Sequence, residues 1–325
     1  MTESAQPSAP PAVGIDIGGT RLRVAVVDGE GAVDNPAEFA TPVPVGTDPR
    51  AAADALVAAL AAAIEHADSG GDLSVGIGFA GTITSEGRAM YGPNVSTRDV
   101  PIRDSVTSAT GRTDVTVIND ANAAAWGEYR FGAGRAVDDM VMLTLGTGVG
   151  GGIVVNGQLV EGMQGFGGEL GHITLVADGW ECNCGNRGCL EAYASGRSLI
   201  RHATDLLATG RPSSLADRDL TPADVSHAAA AGDELAINAI EAAAQWLGIG
   251  ITSLVNVLDP AMVVVGGGVT DHVARWLLPA AAAVVPRRTV GHVNRRHPEI
   301  VTAELGDNAG VIGAADRARL VAARS

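Results

Sequence analysis

Val13-Gly-Ile-Asp-Ile-Gly-Gly-Thr-Arg-Leu-Arg-Val-Ala-Val-Val27 consists of two apolar, β-branched runs, Val13 to Ile17 and Leu22 to Val27, separated by Gly18-Gly19-Thr20. Runs of this composition read as strands, and the glycine turn between them as a hairpin. The pattern returns further along the chain. Met140 to Leu145 is an apolar run, Gly146-Thr-Gly-Val-Gly-Gly-Gly152 a glycine turn, and Ile153 to Val155 another short strand. A repeated strand, glycine turn, strand order is what two related lobes leave in a sequence.

The intervening residues fill in an α/β pattern. Apolar periodicity predicts a helix from Pro49 to His66, strands at Val75 to Phe79 and Val115 to Ile118, and a helix at Ala121 to Phe131. A helix from Glu234 to Val257 precedes a strand, Met262 to Val265, and the turn Gly266-Gly267-Gly268. A last helix covers Ala309 to Ala323. The expected division is a disordered tail at 1–11, a first lobe at 12–119, a second lobe at 120–306, and a C-terminal helix at 307–325 packing on the first lobe.

The chain has 325 residues, 46% of them hydrophobic, enough to bury a sizeable core. Its formal charge is 22 minus 37, or -15, which repels phosphate backbones and anionic membranes, so no nucleic acid or membrane partner is expected. There is no lysine, and all 22 basic residues are arginine. Every mechanism that needs an amine nucleophile or a P-loop lysine is therefore excluded. The opening MTESAQPSAPP has neither a basic nor an apolar signal region, and charges interrupt the Ala-rich stretches before they reach bilayer length. A cytoplasmic location is expected.

Backbone N–H groups bind phosphate when no side chain blocks the approach, so both glycine turns are candidates. Either one alone could equally be a bare hairpin; two in matching positions favour a ligand. Gly146-x-Gly148-x-x-Gly151 also fits the dinucleotide fingerprint, but that motif must open a helix, and here it leads into Gly-Ile-Val-Val. Asp16, just before the first turn, suits a water-mediated Mg2+ contact, or alternatively caps the turn backbone.

Val117-Ile-Asn-Asp-Ala-Asn122 ends a strand with three polar side chains expected to face a cleft. Phosphoryl transfer needs a carboxylate to orient and deprotonate the attacking hydroxyl, and Asp120 is the candidate. Asn119 or Asp120 is also a good helix N-cap, and the two roles can coexist. Gly168-Glu-Leu-Gly-His172, Gly92-Pro-Asn94 and Glu191 add carboxylates and amides of the kind that read a polyol. All three cysteines fall in Cys182-Asn-Cys184-Gly-Asn-Arg-Gly-Cys189, shortly after His172. Three thiolates and an imidazole complete a tetrahedral shell, the mark of structural rather than catalytic zinc.

Together these motifs resemble the ROK sugar kinases, the repressor, open reading frame, kinase family. The resemblance runs from Val13 to the last helix, and Asn119 to Gly134 looks most like the bacterial glucokinases. It implies an α/β, two-lobed actin-like (ribonuclease H-like) fold with an interlobe cleft and a structural zinc site. It implies ATP phosphates at Asp16, Gly18, Gly19, Thr20, Gly146, Thr147, Gly148, Val149 and Gly150, with Gly266, Gly267 and Gly268 near the adenosine. It further implies Asp120 as general base, sugar contacts from Gly81, Asn94, Asn119, Asp120, Glu169, His172 and Glu191, and zinc on His172, Cys182, Cys184 and Cys189. A homodimer or higher homo-oligomer is the expected assembly. Many glucokinases of the family carry a tryptophan soon after the Gly-Pro-Asn segment, whereas this chain reads Asn94-Val-Ser-Thr-Arg98. That departure leaves N-acetylmannosamine or another hexose open as acceptor. Polyphosphate is an alternative donor, against which the net charge argues. A sugar-sensing regulator is the competing class, but regulators of the family carry an N-terminal DNA-binding module, and the Pro/Ser/Ala-rich residues before Val13 do not suit one.

Overall fold

The structure is a computed structural model that describes residues 9–42, 49–92 and 97–324. Strands β1 (Ala12–Ile17) and β2 (Arg21–Val27) form the expected hairpin, which β3 (Val33–Ala40) extends. Helix α1 (Pro49–Ala67) and β4 (Ser74–Phe79) come next. A small sheet of β5 (Thr82–Ile83), β6 (Ala89–Gly92) and β7 (Thr97–Val100) precedes α2 (Ile102–Thr110), β8 (Val115–Asn119) and α3 (Asp120–Phe131). The chain continues through β9 (Met140–Leu145), β10 (Val149–Val155), β11 (Gln158–Leu159), α4 (Leu190–Ala194), α5 (Gly196–Leu207) and α6 (Pro222–Ala230). It closes with α7 (Glu234–Leu258), β12 (Met262–Gly266), α8 (Thr270–Ala282), α9 (Val285–Arg288), β13 (Glu299–Thr302) and α10 (Ala309–Ala322).

The chain divides into two compact units. The first comprises Met1–Arg135, Leu159–Gly168 and Asp307–Ser325, and the second Ala136–Gln158 and Glu169–Gly306. Helix α3, expected in the second lobe, lies in the first unit. The reason is its packing on α10. A Cβ on Gly313 would stand 1.8 Å from the Ala123 carbonyl oxygen, so the two backbones approach as closely as glycine permits.

The first unit's sheet has the order β3-β2-β1-β4-β8, with β1 antiparallel to β2 and parallel to β4, and β4 parallel to β8. Val13, Ile15 and Ile17 share a core with Leu56, Leu60 and Ile64 of α1 and Ile102 and Val106 of α2. On the other face of the sheet, Gly76 lets the backbone of α10 lie directly on β4, where a Cβ would be 1.8 Å from the Ala314 carbonyl oxygen. Helix α10 is thus held between sheet and α3.

The second unit repeats this plan. Its sheet runs β11-β10-β9-β12-β13, with β9 antiparallel to β10, β9 parallel to β12, and β12 parallel to β13. Numbered within each unit, both sheets have the order 3-2-1-4-5. The glycine turn is shorter than expected, because β10 begins at Val149 and takes up Gly150 to Gly152. Gly151 must be small there, since a Cβ would lie 2.6 Å from the Met142 carbonyl oxygen. Helix α7 is long and apolar enough to cross a bilayer, but Leu235, Ile240, Leu247 and Ile251 are buried in the unit's main core. Asp233 caps it, accepting hydrogen bonds from the backbone N–H groups of Leu235 and Ala236.

Candidate active site

In the first unit, Asp16 sits near the carboxyl end of β1, the end of a parallel strand at which α/β proteins bind ligands. The turn after it is closed by a hydrogen bond from Gly18 N to the Arg21 carbonyl, 2.8 Å. Thr41, 4% exposed, fastens the turn from behind. Its hydroxyl donates to the Gly18 carbonyl (2.8 Å) and its N–H to that of Thr20 (3.1 Å). A cavity of about 340 Å³ opens here, lined by Asp16, Gly18, Thr20, Arg21 and Arg23. Gly19 and Thr20 are exposed at the turn. Burial pushes the Asp16 carboxyl up to about 6, against the pull of Arg23 and with a further push from Asp307.

Two strands along, the register Asp16↔Gly78 and Gly78↔Ile118 aligns the ends of β1, β4 and β8. Ile118 is therefore two strand spacings, or roughly 10 Å, from Asp16 across the sheet, and Asp120 opens α3 two residues further on. Asn119 is the N-cap of α3: its side-chain oxygen accepts from Asn122 N (2.9 Å), while its Nδ2 donates to the Gly81 carbonyl (3.0 Å). Asn119 and Gly81 are thus brought together. Gly81 adopts φ 153°, and a Cβ there would meet the Tyr91 carbonyl oxygen at 2.3 Å. Asn122, expected to face a cleft, is instead buried at 2% exposure, and its Nδ2 donates to the Gly167 carbonyl. It closes the base of α3 because its helix position points inward. Asn94 lies outside the described residues.

In the second unit, the turn Gly146 to Gly148 is closed by Gly146 N donating to the Gly148 carbonyl, 2.9 Å. The turn Gly266 to Gly268 lies beside the end of β9. Val269 N donates to the Leu145 carbonyl, and Gly267, at φ 89°, fits where a Cβ would be 2.5 Å from that oxygen. Both glycine turns assigned to nucleotide in this unit therefore meet at neighbouring strand ends. Thr147 is exposed at the tip.

Glu191 also reaches this turn. Its carboxylate accepts from Val149 N at 3.0 Å and from the Cys182 thiol at 3.2 Å. Gly148 packs against it so tightly that a Cβ would be 2.3 Å from the Glu191 Oε2. One carboxylate thus joins the glycine turn to the cysteine loop.

His172, Cys182, Cys184 and Cys189 place one donor atom each within 4.8 Å of all the others. His172 Nδ1 is 3.7 Å from Cys182 Sγ, and Cys184 Sγ is 3.8 Å from Cys189 Sγ. The edge of a tetrahedron with Zn–S arms of about 2.3 Å is about 3.8 Å, so the four donors fit that ion. Burial drives the Cys182 and Cys189 thiols up from their ordinary values, and a bound dication would supply the countercharge their thiolates lack. The other ring nitrogen of His172, Nε2, is 3.9 Å from the Glu169 carboxylate. Partial burial raises the Glu169 carboxyl, with Glu191 adding to the shift and His172 opposing it. The loop is packed down by Trp180, stacked on Tyr193 at 4.5 Å, whose hydroxyl accepts from Trp180 N.

Sequence reasoning did not find Thr41, Arg21, Arg23 or Tyr193. Arg21 and Arg23 were legible in principle: they alternate on β2 beside the turn, and strand residues two apart share a face. Thr41 and Tyr193 act on segments distant in sequence, and no local pattern marks them.

The sequence profile of the ROK family matches residues 12–320. The chain is similar to a glucokinase of Streptomyces coelicolor, with 40% identity over 318 residues, 94% of this chain and 97% of that protein. It is similar in structure to a ROK family glucokinase from Streptomyces griseus in complex with glucose and AMPPNP, with 38% identity and a TM-score of 0.81, covering 95% of this chain and 99% of that one. A xylose repressor of Bacillus subtilis is also similar, at 30% identity over 243 residues, 75% of this chain and 60% of the repressor.

Proposed function

The chain belongs to the ROK family, and on that premise we propose that it is a glucokinase, transferring the terminal phosphoryl group of ATP to the 6-hydroxyl of glucose. It is a phosphotransferase with an alcohol acceptor. One observation carries the reading to these residues: the register Asp16↔Gly78↔Ile118 aligns the carboxyl ends of β1 and β8 two strand spacings apart, with Asp16 at the first end and Asp120 opening the helix that follows the second. That spacing suits a metal-bound phosphate chain on one side and an attacking hydroxyl on the other.

In this reading Asp120 accepts the proton of the 6-hydroxyl, and Asn119, held at both ends of its amide, fixes the sugar beside it. Glu169, His172, Glu191, Gly81 and Asn94 complete the sugar contacts. Asp16 takes Mg2+ through water, and the glycine turns at Gly18 to Thr20 and Gly146 to Gly150 take phosphates, with Gly266 to Gly268 at the adenosine. Magnesium, when bound, neutralises charge on the transferring phosphoryl group. Zinc on His172, Cys182, Cys184 and Cys189 would fix the ring of His172 and hence Glu169, a positioning role. The shared 3-2-1-4-5 sheet order supports an actin-like class with two related lobes. A cytoplasmic enzyme, assembled as a homodimer or higher homo-oligomer, completes the proposal.

The test is a coupled assay of the purified chain with ATP or polyphosphate against glucose, mannose, fructose and N-acetylmannosamine. Turnover with ATP and glucose well above the others is expected. Preference for N-acetylmannosamine would support the alternative that Asn94-Val-Ser-Thr-Arg98 leaves open. Sugar binding without turnover would instead favour a regulator.

A further inference from the structure

Helix α10 runs behind both carboxylates of the proposed reaction. In its first turn, a Cβ on Gly310 would stand 2.9 Å from the carboxyl carbon of Asp16. One turn on, Gly313 meets the Ala123 carbonyl, and Gly127 of α3 meets that of Ala309, where a Cβ would be 2.4 Å from the oxygen. The face between α10 and α3 is therefore built from glycine and alanine. Such a face fixes how deeply two helices approach, but it has no large side chains to interlock as ridge and groove, so it resists sliding and rotation only weakly.

One directional contact supplies what the small residues lack. Asp316 of α10 is 1% exposed, and its Oδ2 accepts from the indole Nε1 of Trp126 at 2.8 Å; Trp126 itself is 3% exposed on α3. The other oxygen of Asp316 accepts from Arg319 Nη1 at 3.2 Å. Arg319 is anchored in turn, because its Nη2 donates to the carbonyls of Val27 at 3.0 Å and Asp28 at 2.8 Å, at the end of β2. Arg130 of α3 adds a longer ion pair to Asp316, 3.7 Å. The contacts thus run from β2 through Arg319 and Asp316 to the helix that Asp120 opens. Burying a carboxylate with a guanidinium costs desolvation that their attraction only partly offsets, and apolar residues of the same volume often give equal stability. What an apolar pair cannot give is a fixed direction.

We propose that Asp316 is a positioning residue: by holding the Trp126 indole it pins α3 in register on α10, and so fixes Asp120 relative to Asp16. The inference rests on the kinase reading, since it assigns Asp316 a part in turnover through Trp126 and Asp120.

The test uses Trp126→Phe, which keeps a ring and removes the donor, Asp316→Asn, and the double variant. For each, kcat is expressed per glucose-binding site counted by calorimetry, and Tm, KM for both substrates and amide hydrogen exchange in α3 are measured. Because small displacements of a reacting group are expensive, Trp126→Phe should lower kcat by roughly tenfold or more while both KM values change less than about threefold. Asp316→Asn should also lower kcat, but the double variant should lie within about threefold of Trp126→Phe, since the two side chains act through one bond. Amides of α3 should exchange roughly tenfold faster in Trp126→Phe. A merely structural network would lower Tm and leave kcat per binding site intact. That result, or kcat losses that multiply in the double variant, would overturn the assignment. If wild type turns over no hexose, the kinase reading fails, and amide exchange by itself decides whether Asp316 pins α3: exchange unchanged in Trp126→Phe would reject the pin.

Discussion

At Asp120 the chemistry asks for a carboxylate, and Asn retains its shape and helix-start position while losing basicity. Asp120→Asn should retain glucose binding, measured by calorimetry, while kcat falls by roughly 10²–10⁴. Near-normal kcat would remove Asp120 from the role of base. Asp16 illustrates the opposite tension, between function and stability. Its carboxyl titrates near 6 in the folded chain, above its ordinary 3.8, because burial disfavours the charge. Between these values the folded state holds more protons than the unfolded one, so stability is full below about 4 and is lost as pH rises to about 6. The loss is on the order of 3 kcal/mol at neutral pH. Asp16→Asn should therefore melt several degrees above wild type at pH 7.5 but not at pH 4, in metal-free thermal scans, while losing activity. A gap that does not widen between pH 4 and pH 6.5 would count against a buried, destabilising carboxylate.

Among the elements, α10 controls the most. It separates the sheet from α3, and glycines set both distances, Gly76 of β4 on one side and Gly313 of α10 on the other. Gly313→Ala would drive a methyl group into the Ala123 carbonyl, and overpacking of this kind costs about 1–3 kcal/mol. Because α3 begins at Asp120, the expected result is a fall of several degrees in Tm together with a lower kcat, since the helix that presents the base must shift. A stable but slow variant would show that the spacing matters to catalysis itself; unchanged Tm and kcat would show that α3 has room to give. The cysteine loop is the second such element. About one zinc per chain is expected by elemental analysis, and Cys184→Ser should lower both Tm and affinity for glucose, because His172 connects the cluster to Glu169. Metal-free protein with full activity and unaltered Tm would end that assignment.

For the whole molecule, the proposed homodimer or higher homo-oligomer predicts at least about twice the 32.8 kDa chain mass in light scattering. A monomeric mass in active protein would reject it. How much of this was legible in the sequence depends on range. The strands around both glycine turns, the long core helix, the last helix and the grouping of three cysteines with a histidine could all be read directly, because periodicity, turn chemistry and cysteine spacing act over a few residues. The start of β10 is not legible, because a glycine run reads as a turn, and only the contacts of Met142 and Leu170 with Gly151 make it strand. In sequence Asn122 reads as open to a cleft, and the tertiary packing buries it. By itself the sequence determined an α/β chain with duplicated glycine hairpins, a carboxylate at a strand end and a cluster of three cysteines and a histidine. Only the tertiary structure decided that α3 belongs to the first unit, that Thr41 fastens the first turn, that Glu191 joins the second turn to the cysteine loop, and that Arg23 bridges Glu38 and Asp307. Those outcomes depend on which backbones can touch, and contact between segments far apart in sequence leaves no periodic trace in either segment.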